Sequence, residues 1–298
     1  MRVREGEVCV VTHNKYVTTQ NRLLEVLRVL INICANSLKI KKLVVEEPCR
    51  RFNMRPQLHL FISSPYGEFK STLLNEISNA YPSKLYTNLT FPSLIGSIDR
   101  DTKQIMPAAA WECRNKIMLL DEYMATRPSL VSEALLQLLE SQYYSRKVAM
   151  YSANKEEVEG DLYFRVRDGN IEVKTRFSCI IATMKNIRKA REYGFKALLS
   201  RCVPIRYELT KDEIDQVLDG KLLFKKEEYE VEEDVVISTS DYMKIREILD
   251  RHIEERGIKG VEEVYARAVG DCCRAFAVLQ KHDEQLYKDI LELKVTFR

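Results

Sequence analysis

Two residue pairs carry the chemistry of phosphate handling, Lys70-Ser71 and, about fifty positions later, Asp121-Glu122. The types suit the task. A lysine reaches terminal phosphates as a point charge, and a hydroxyl beside it supplies a hard oxygen for Mg²⁺. Of two neighbouring carboxylates, one joins the metal shell and the other orients or deprotonates an attacking water.

Lys70 lies in LHLFISSPYGEFKSTLLNEI, Leu58 to Ile77. Leu58 to Ile62 read as a buried strand, Ser64-Pro65-Tyr66-Gly67-Glu68-Phe69 as a loop, and Lys70-Ser71-Thr72 as the start of a helix with Leu73, Leu74 and Ile77 on one face. In that order the loop amides and the positive helix end face an anion. Against G-x-x-x-x-G-K-[ST], Ser64 and Phe69 replace the two flanking glycines and Gly67 alone remains inside the loop. A phenylalanine serves there if its backbone keeps a negative φ. The bland reading is an ordinary strand-loop-helix with a surface lysine.

The acids end IMLLDE, Ile117 to Glu122, a strand pattern that delivers both carboxylates to the carboxyl edge of a sheet. A third buried strand is expected at Phe177 to Ile187, with polar Thr183 and Asn186 at its end. Between them lies a helix, Ser129 to Ser141, then YYSRKVAMYSA and DLYFRVRDGNIEVKTRF, which read as hairpin arms turning at Asp168-Gly169-Asn170. Arg146, Lys147, Arg165, Arg167, Lys174 and Arg176 make these arms basic. They suit either a solvated edge or a phosphate-contacting hairpin. A further pair of short strands, Ser93 to Ile98 and Gln104 to Met106, flanks the polar turn Asp99 to Lys103.

The elements that position these groups alternate strand and helix from Leu58, which predicts an α/β fold with a parallel sheet flanked by helices. Before it, residues 1–57 read as a strand Val8 to Thr12, a helix Gln20 to Leu38 and a strand Lys41 to Glu46, an extension that packs on the core or meets a partner. After FKALLSRCVPIRYELT, a helix and strand through Leu209, the charged run KKEEYEVEED reads as a linker or exposed hairpin. Asp241 to Arg256, Val261 to Gln280 and His282 to Leu293 read as amphipathic helices. The division expected is 1–57, 58–212 and 213–298.

A net charge of +3 on 298 residues is too small to mark a nucleic-acid binder, so such a role must rest on local patches. Cys9, Cys34, Cys49, Cys113, Cys179, Cys202, Cys272 and Cys273 include no C-x-x-C pair and have few histidines nearby, which argues against zinc and for free thiols in a reducing compartment. The start MRVREGEVCVV lacks a signal-peptide core and no apolar run reaches membrane-span length, so a cytoplasmic protein is expected.

The order of these motifs resembles the AAA+ ATPases over roughly Leu58 to Leu293. SPYGEFKST resembles a divergent Walker A, IMLLDE a Walker B, and the end of CIIATMKN the sensor-1 strand. ALLSRC is similar to the serine-arginine-cysteine stretch of clamp-loader subunits and to the LLSRF stretch of minichromosome maintenance helicases. The resemblance implies an AAA+ core followed by a small α-helical lid, ATP held by Ser64 to Thr72 with Asp121, and Mg²⁺ on Ser71 and Asp121. Glu122 would act on water. Thr183 or Asn186 would serve as sensor 1, and Met184 stands where the usual asparagine ending falls. Arg201 would be an arginine finger on a neighbour's γ-phosphate. Arg267 or Lys259 would be the sensor-2 cation.

Within the superfamily the hairpin patterns lean towards the minichromosome maintenance side, in a compact form that suits a virus, plasmid or other mobile element. Carried over, Arg100, Lys103, Arg146, Lys147, Arg165 and Arg167 become DNA contacts in the channel of a ring, expected to be hexameric. The implied function is a DNA helicase or translocase. Two alternatives stand beside it: a remodeller or loader of a protein partner, and a degenerate nucleotide-binding regulatory subunit. A helix-turn-helix reader in the tail is disfavoured by the lack of a tight Gly-containing turn.

Overall fold

A computed structural model describes residues 10–65, 69–87, 89–98, 105–123, 130–147, 155–184 and 193–296. The chain enters as α1 (Val10–Asn36), so Val10 to Thr12 are helical rather than part of a strand. No glycine or proline interrupts that run, and β-branched residues lower helix propensity by only about half a kcal/mol each. From Leu24, the residues Leu27, Leu30, Ile31 and Cys34 turn into the core at helical spacing.

A 3-10 turn leads to the antiparallel pair β1 (Lys42–Glu47) and β2 (Arg50–Met54). Next come β3 (Leu60–Ser63), α2 (Lys70–Ala80) and β4 (Ser83–Thr87). The stretch expected as one strand from Ser93 divides into α3 (Phe91–Ile95) and β5 (Gly96–Ile98), which pairs with β6 (Ile105–Pro107). Thr90 and Ser93 cap that helix reciprocally and Pro92 occupies its first turn, a start signal that outweighs the local β preference. Gly96 then turns at φ 138°, where a Cβ would meet the Phe164 ring at 3.0 Å.

After α4 (Ala109–Glu112) the acidic strand forms β7 (Lys116–Asp121), followed by α5 (Leu130–Ser141). The basic arms become β8 (Tyr143–Lys147), β9 (Lys155–Glu159), β10 (Leu162–Arg167) and β11 (Asn170–Lys174), an antiparallel sheet in the order β8-β11-β10-β9. Asp168 and Gly169 both take positive φ, as a two-residue hairpin turn requires. Then follow β12 (Phe177–Thr183), α6 (Tyr193–Arg201), β13 (Val203–Arg206) and α7 (Lys211–Leu218). The sequence reading missed α7, although Thr210 and Glu213 form a capping box at its start. The chain closes with β14 (Asp234–Ile237), α8 (Thr239–Arg256), α9 (Glu262–Leu279) and α10 (Glu284–Thr296).

The central sheet has the order β13-β3-β12-β7-β4, and every pairing in it is parallel. Every residue of β3 and β12 is buried, because parallel strands are covered on both faces. Because the pairings are parallel, the carboxyl ends of β3, β7 and β12, at Ser63, Asp121 and Thr183, share one edge.

Helix α1 packs on β3, β7, β12 and β13, and its residues belong to the same core as the sheet. It also holds the segment that the sequence suggested was a linker. Arg28 Nε donates to Leu223 O (2.7 Å), Asn32 Nδ2 to Lys225 O (3.2 Å) and Asn36 Nδ2 to Glu227 O (2.9 Å). In return, Glu227 N and Tyr229 N donate to the two asparagine side-chain oxygens. Leu223 and Phe224 are buried in the core, but the charged run 225–228 just after them hid this strap, since there the attachment runs through backbone atoms. It continues into β14, which extends the β1 pair by parallel register, Leu43 beside Val235.

Helices α8, α9 and α10 pack on one another as a C-terminal helical region. Cys34, Cys113, Cys179, Cys202, Cys272 and Cys273 are buried as small hydrophobes, and Cys49 is exposed. Among the described residues no helix is long and apolar enough to cross a membrane.

Candidate functional site

The carboxyl edge of the central sheet assembles the two residue pairs. Lys70, buried at the first position of α2, donates from Nζ to Ser64 O (3.1 Å) and Pro65 O (2.7 Å). Ser71 Oγ donates to Asp121 Oδ2 at 2.8 Å, joining the first turn of α2 to the end of β7. Thr183 closes the group, its carbonyl accepting from Ser64 N at 3.3 Å, while Tyr123 N donates to Ala182 O at 3.1 Å. Tyr66, Gly67, Glu68 and Asn186 lie outside the described residues.

Two backbone conformations shape this edge. Phe69 takes φ 55° and ψ 27°, so the negative φ expected for a non-glycine residue is not what the loop adopts. The chain must turn from loop into helix here, as at the glycine of the standard motif, and the left-handed form costs about 1–2 kcal/mol in any L-residue. Its half-buried ring packs against the core and offsets part of this strain. Glu122, at φ 52°, makes the same kind of turn after β7.

The donors and acceptors left at this edge fit phosphate and a hard cation. Phe69 provides no side-chain cap for α2 and the first turn holds no acid, so its leading amides face the loop. Asp121 Oδ1 and Glu122 Oε2 are buried and without a hydrogen-bond partner among the described residues. Carboxylate and hydroxyl oxygens are the ligands Mg²⁺ prefers, and Mg²⁺ takes one or two of them together with phosphate and water. No cluster of three or more His, Cys, Asp or Glu forms a metal cage among the described residues, and this mode of binding needs none.

Arg201 and Arg267 sit elsewhere. Arg201 ends α6 just before β13, which runs parallel to β3, and so lies at the amino edge of the sheet, opposite Lys70. Its Nε stands 2.9 Å from Glu140 Oε2 and its Nη1 donates to Ala197 O at 2.9 Å. Arg267 Nη1 donates to the same carboxylate at 2.9 and 3.1 Å. Partial burial pushes the Glu140 carboxyl up, but Arg267, Arg201 and Arg55 outweigh this and hold it below the usual range. Within one chain, then, neither arginine joins the Lys70 loop.

The basic arms place most of their charges on the four-stranded sheet, and Arg176, just ahead of β12, donates to Asn115 Oδ1 (3.0 and 2.8 Å) at the amino edge of the central sheet. Arg165 pairs with Glu156 (2.5 Å) and Glu172 (3.7 Å), Arg167 with Asp168 (3.5 Å) and Lys174 with Asp161 (3.2 Å). Arg146 lies over the Phe91 ring at 5.0 Å, and Lys147 is exposed on β8. Arg100 and Lys103 lie outside the described residues.

Sequence reasoning missed the residues that hold these parts in place. His59, just ahead of β3, accepts from Cys179 N at Nδ1 (3.0 Å), and its Nε2 meets Leu139 O at 3.3 Å. Burial first, then Arg55 and Arg274, hold its pKa well below the ordinary imidazole value, so it is neutral with the proton on Nε2. Glu140, Asp271 and Lys294 are the other omissions. Asp271 and Lys294 were visible as charged residues within the apolar faces of their helices, a signal that marks a buried partner. No protein-family model matches this chain, and no curated protein matches it in sequence.

Proposed function

We propose that this chain is an ATP-hydrolysing motor of the AAA+ type that works as a homo-hexameric ring. One observation supports the reading above the rest: Lys70, Ser71, Asp121, Glu122 and Thr183, drawn from three segments, converge on one sheet edge, with Ser71 bonded to Asp121 at 2.8 Å. Lys70 exchanges its two carbonyl partners for the terminal phosphates of ATP. Ser71 and Asp121 hold Mg²⁺, which when bound neutralises charge on the phosphate oxygens. Glu122 takes the proton of the attacking water or orients it. Thr183 positions that water beside the phosphate loop. Arg201 and Arg267, at the other edge, serve the site of an adjacent copy, where an arginine stabilises charge in the transition state.

The substrate we propose is DNA, gripped without sequence preference through Arg100, Lys103, Arg146 and Lys147. A protein substrate is the second reading. It is favoured by the pairing of Arg165 and Arg167 with carboxylates of their own sheet.

Steady-state ATP hydrolysis with and without single- and double-stranded DNA tests both levels. Glu122→Gln is expected to lose 10²- to 10⁴-fold in kcat and Arg201→Ala 10³-fold or more, each retaining nucleotide binding, while Lys70→Ala loses binding. Hydrolysis indifferent to DNA at low salt selects the protein substrate. Hydrolysis unaffected in all three variants overturns the ATPase reading.

A further inference from the structure

The turn that carries Arg201 is held from behind by buried charge. Lys294 of α10 has a side chain 3% exposed, and Asp271 of α9 one 5% exposed; they meet at 2.7 Å. The same Lys294 Nζ donates to Cys202 O (3.0 Å) and Ser200 O (3.4 Å). An ammonium has three protons to donate, and here they face one carboxylate and the two carbonyls that flank Arg201.

These carbonyls are at the end of α6, where helix geometry leaves them without intrahelical partners and where a cation is favoured. The other oxygen of Asp271 accepts from Arg274 Nη1 at 2.6 Å, and Arg274 Nε donates to Arg55 O at 2.9 Å, on the approach to β3. Burial pushes the Asp271 carboxyl up, and Lys294 and Arg274 outweigh this to hold it below the usual range. A buried ion pair seldom adds net stability over well-packed apolar residues. What this one adds is location: a single ammonium grips the backbone on both sides of one functional arginine.

We infer that Lys294 and Asp271 are positioning residues for Arg201, locking the α6–β13 turn to helices α9 and α10 so that the arginine and the C-terminal helical region move as one body. The inference rests on the reading of Arg201 as the residue that completes an adjacent copy's site. The C-terminal helices thereby set how far the guanidinium projects from its own subunit, while its own Lys70 loop, at the far edge of the sheet, is untouched.

The test uses the full chain with Lys294→Met, and Lys294→Met combined with Asp271→Asn, which removes both charges while the amide oxygen keeps the Arg274 contact. Hydrogen exchange of the amides at 199–203 is expected to quicken in both variants, with the rest of the central sheet unchanged. In steady-state hydrolysis both variants lose 10- to 100-fold in kcat at unchanged KM, the scale of a reacting group displaced by about 1 Å. Lys294→Met added to Arg201→Ala lowers kcat no further. Should Lys294→Met fold poorly, the double variant carries the measurement.

Unchanged exchange at 199–203 overturns the clamp. Wild-type kcat in a variant whose turn has loosened overturns the link to Arg201, as does a rise in KM equal to the fall in kcat. An inactive wild type, or full activity in Arg201→Ala, instead defeats the prior reading of the arginine, and exchange then still decides the clamp.

Discussion

Phe69 offers a direct test of the backbone that leads into α2, because strain and packing pull in opposite directions at one residue. Its φ of 55° imposes about 1–2 kcal/mol on any residue with a Cβ. Glycine removes that term but adds about 0.5–1 kcal/mol through the greater entropy of the unfolded chain. The half-buried ring contributes about 1 kcal/mol, half the worth of a fully buried aromatic. Phe69→Ala keeps the strain and loses the ring, so it is expected to destabilise by about 1 kcal/mol. Phe69→Gly loses the ring and the strain together and is expected to lie within about 0.5 kcal/mol of the parent. Urea unfolding of the nucleotide-free protein, followed by circular dichroism, reads the order: parent and glycine variant together, alanine variant at a lower midpoint, slopes unchanged. An alanine variant as stable as the glycine variant would refute the left-handed turn and the strain derived from it.

His59 makes part of the stability depend on pH. Its folded pKa lies below the unfolded value of about 6.5, so below that pH the unfolded chain binds a proton that the folded chain refuses. Stability then falls by up to about 1.4 kcal/mol per pH unit, until the folded imidazole itself protonates. His59→Asn, whose side-chain oxygen can accept from Cys179 N, should flatten that component when urea midpoints at pH 7 and pH 5 are compared; an identical pH slope in both proteins argues against it. Asn32 secures the strap by donating to Arg28 O and Lys225 O and accepting from Tyr81 OH and Glu227 N. Asn32→Leu removes the bonds at Lys225 O and Glu227 N, worth about 0.5–1.5 kcal/mol each, so limited proteolysis should cut within 223–231 well before the parent is cut there; equal cleavage rates would mean that the strap is held by something else.

The central strands were legible because parallel strands are buried on both faces and read as unbroken apolar runs. LHLFIS, KIMLLD and FSCIIAT announced themselves in this way, and each ended in a polar residue at the edge where the candidate site lies. The strap at 223–231 was not legible. Its middle, Lys225 to Glu228, is charged and is attached through backbone atoms, bonded by two asparagines almost two hundred positions earlier, while Leu223 and Phe224 ahead of it are buried in the core. The helix at Phe91 was hidden by the opposite effect, a local strand pattern overruled by a cap and a proline.

Sequence by itself determined which residues could do the chemistry, that Lys70 and Ser71 would open a helix behind a strand and loop, and that Asp121 and Glu122 would stand at a strand end, since residue type and apolar periodicity are local properties. Tertiary structure alone decided that Ser71 meets Asp121, that Phe69 turns left-handed, and that Arg201 and Arg267 share Glu140 at the far edge. It also decided that Lys294 grips the turn around Arg201. The physical reason is separation along the chain. Lys294 is 92 positions from Cys202, Arg267 is 127 from Glu140, and such contacts arise only when strand order and helix packing bring distant segments together.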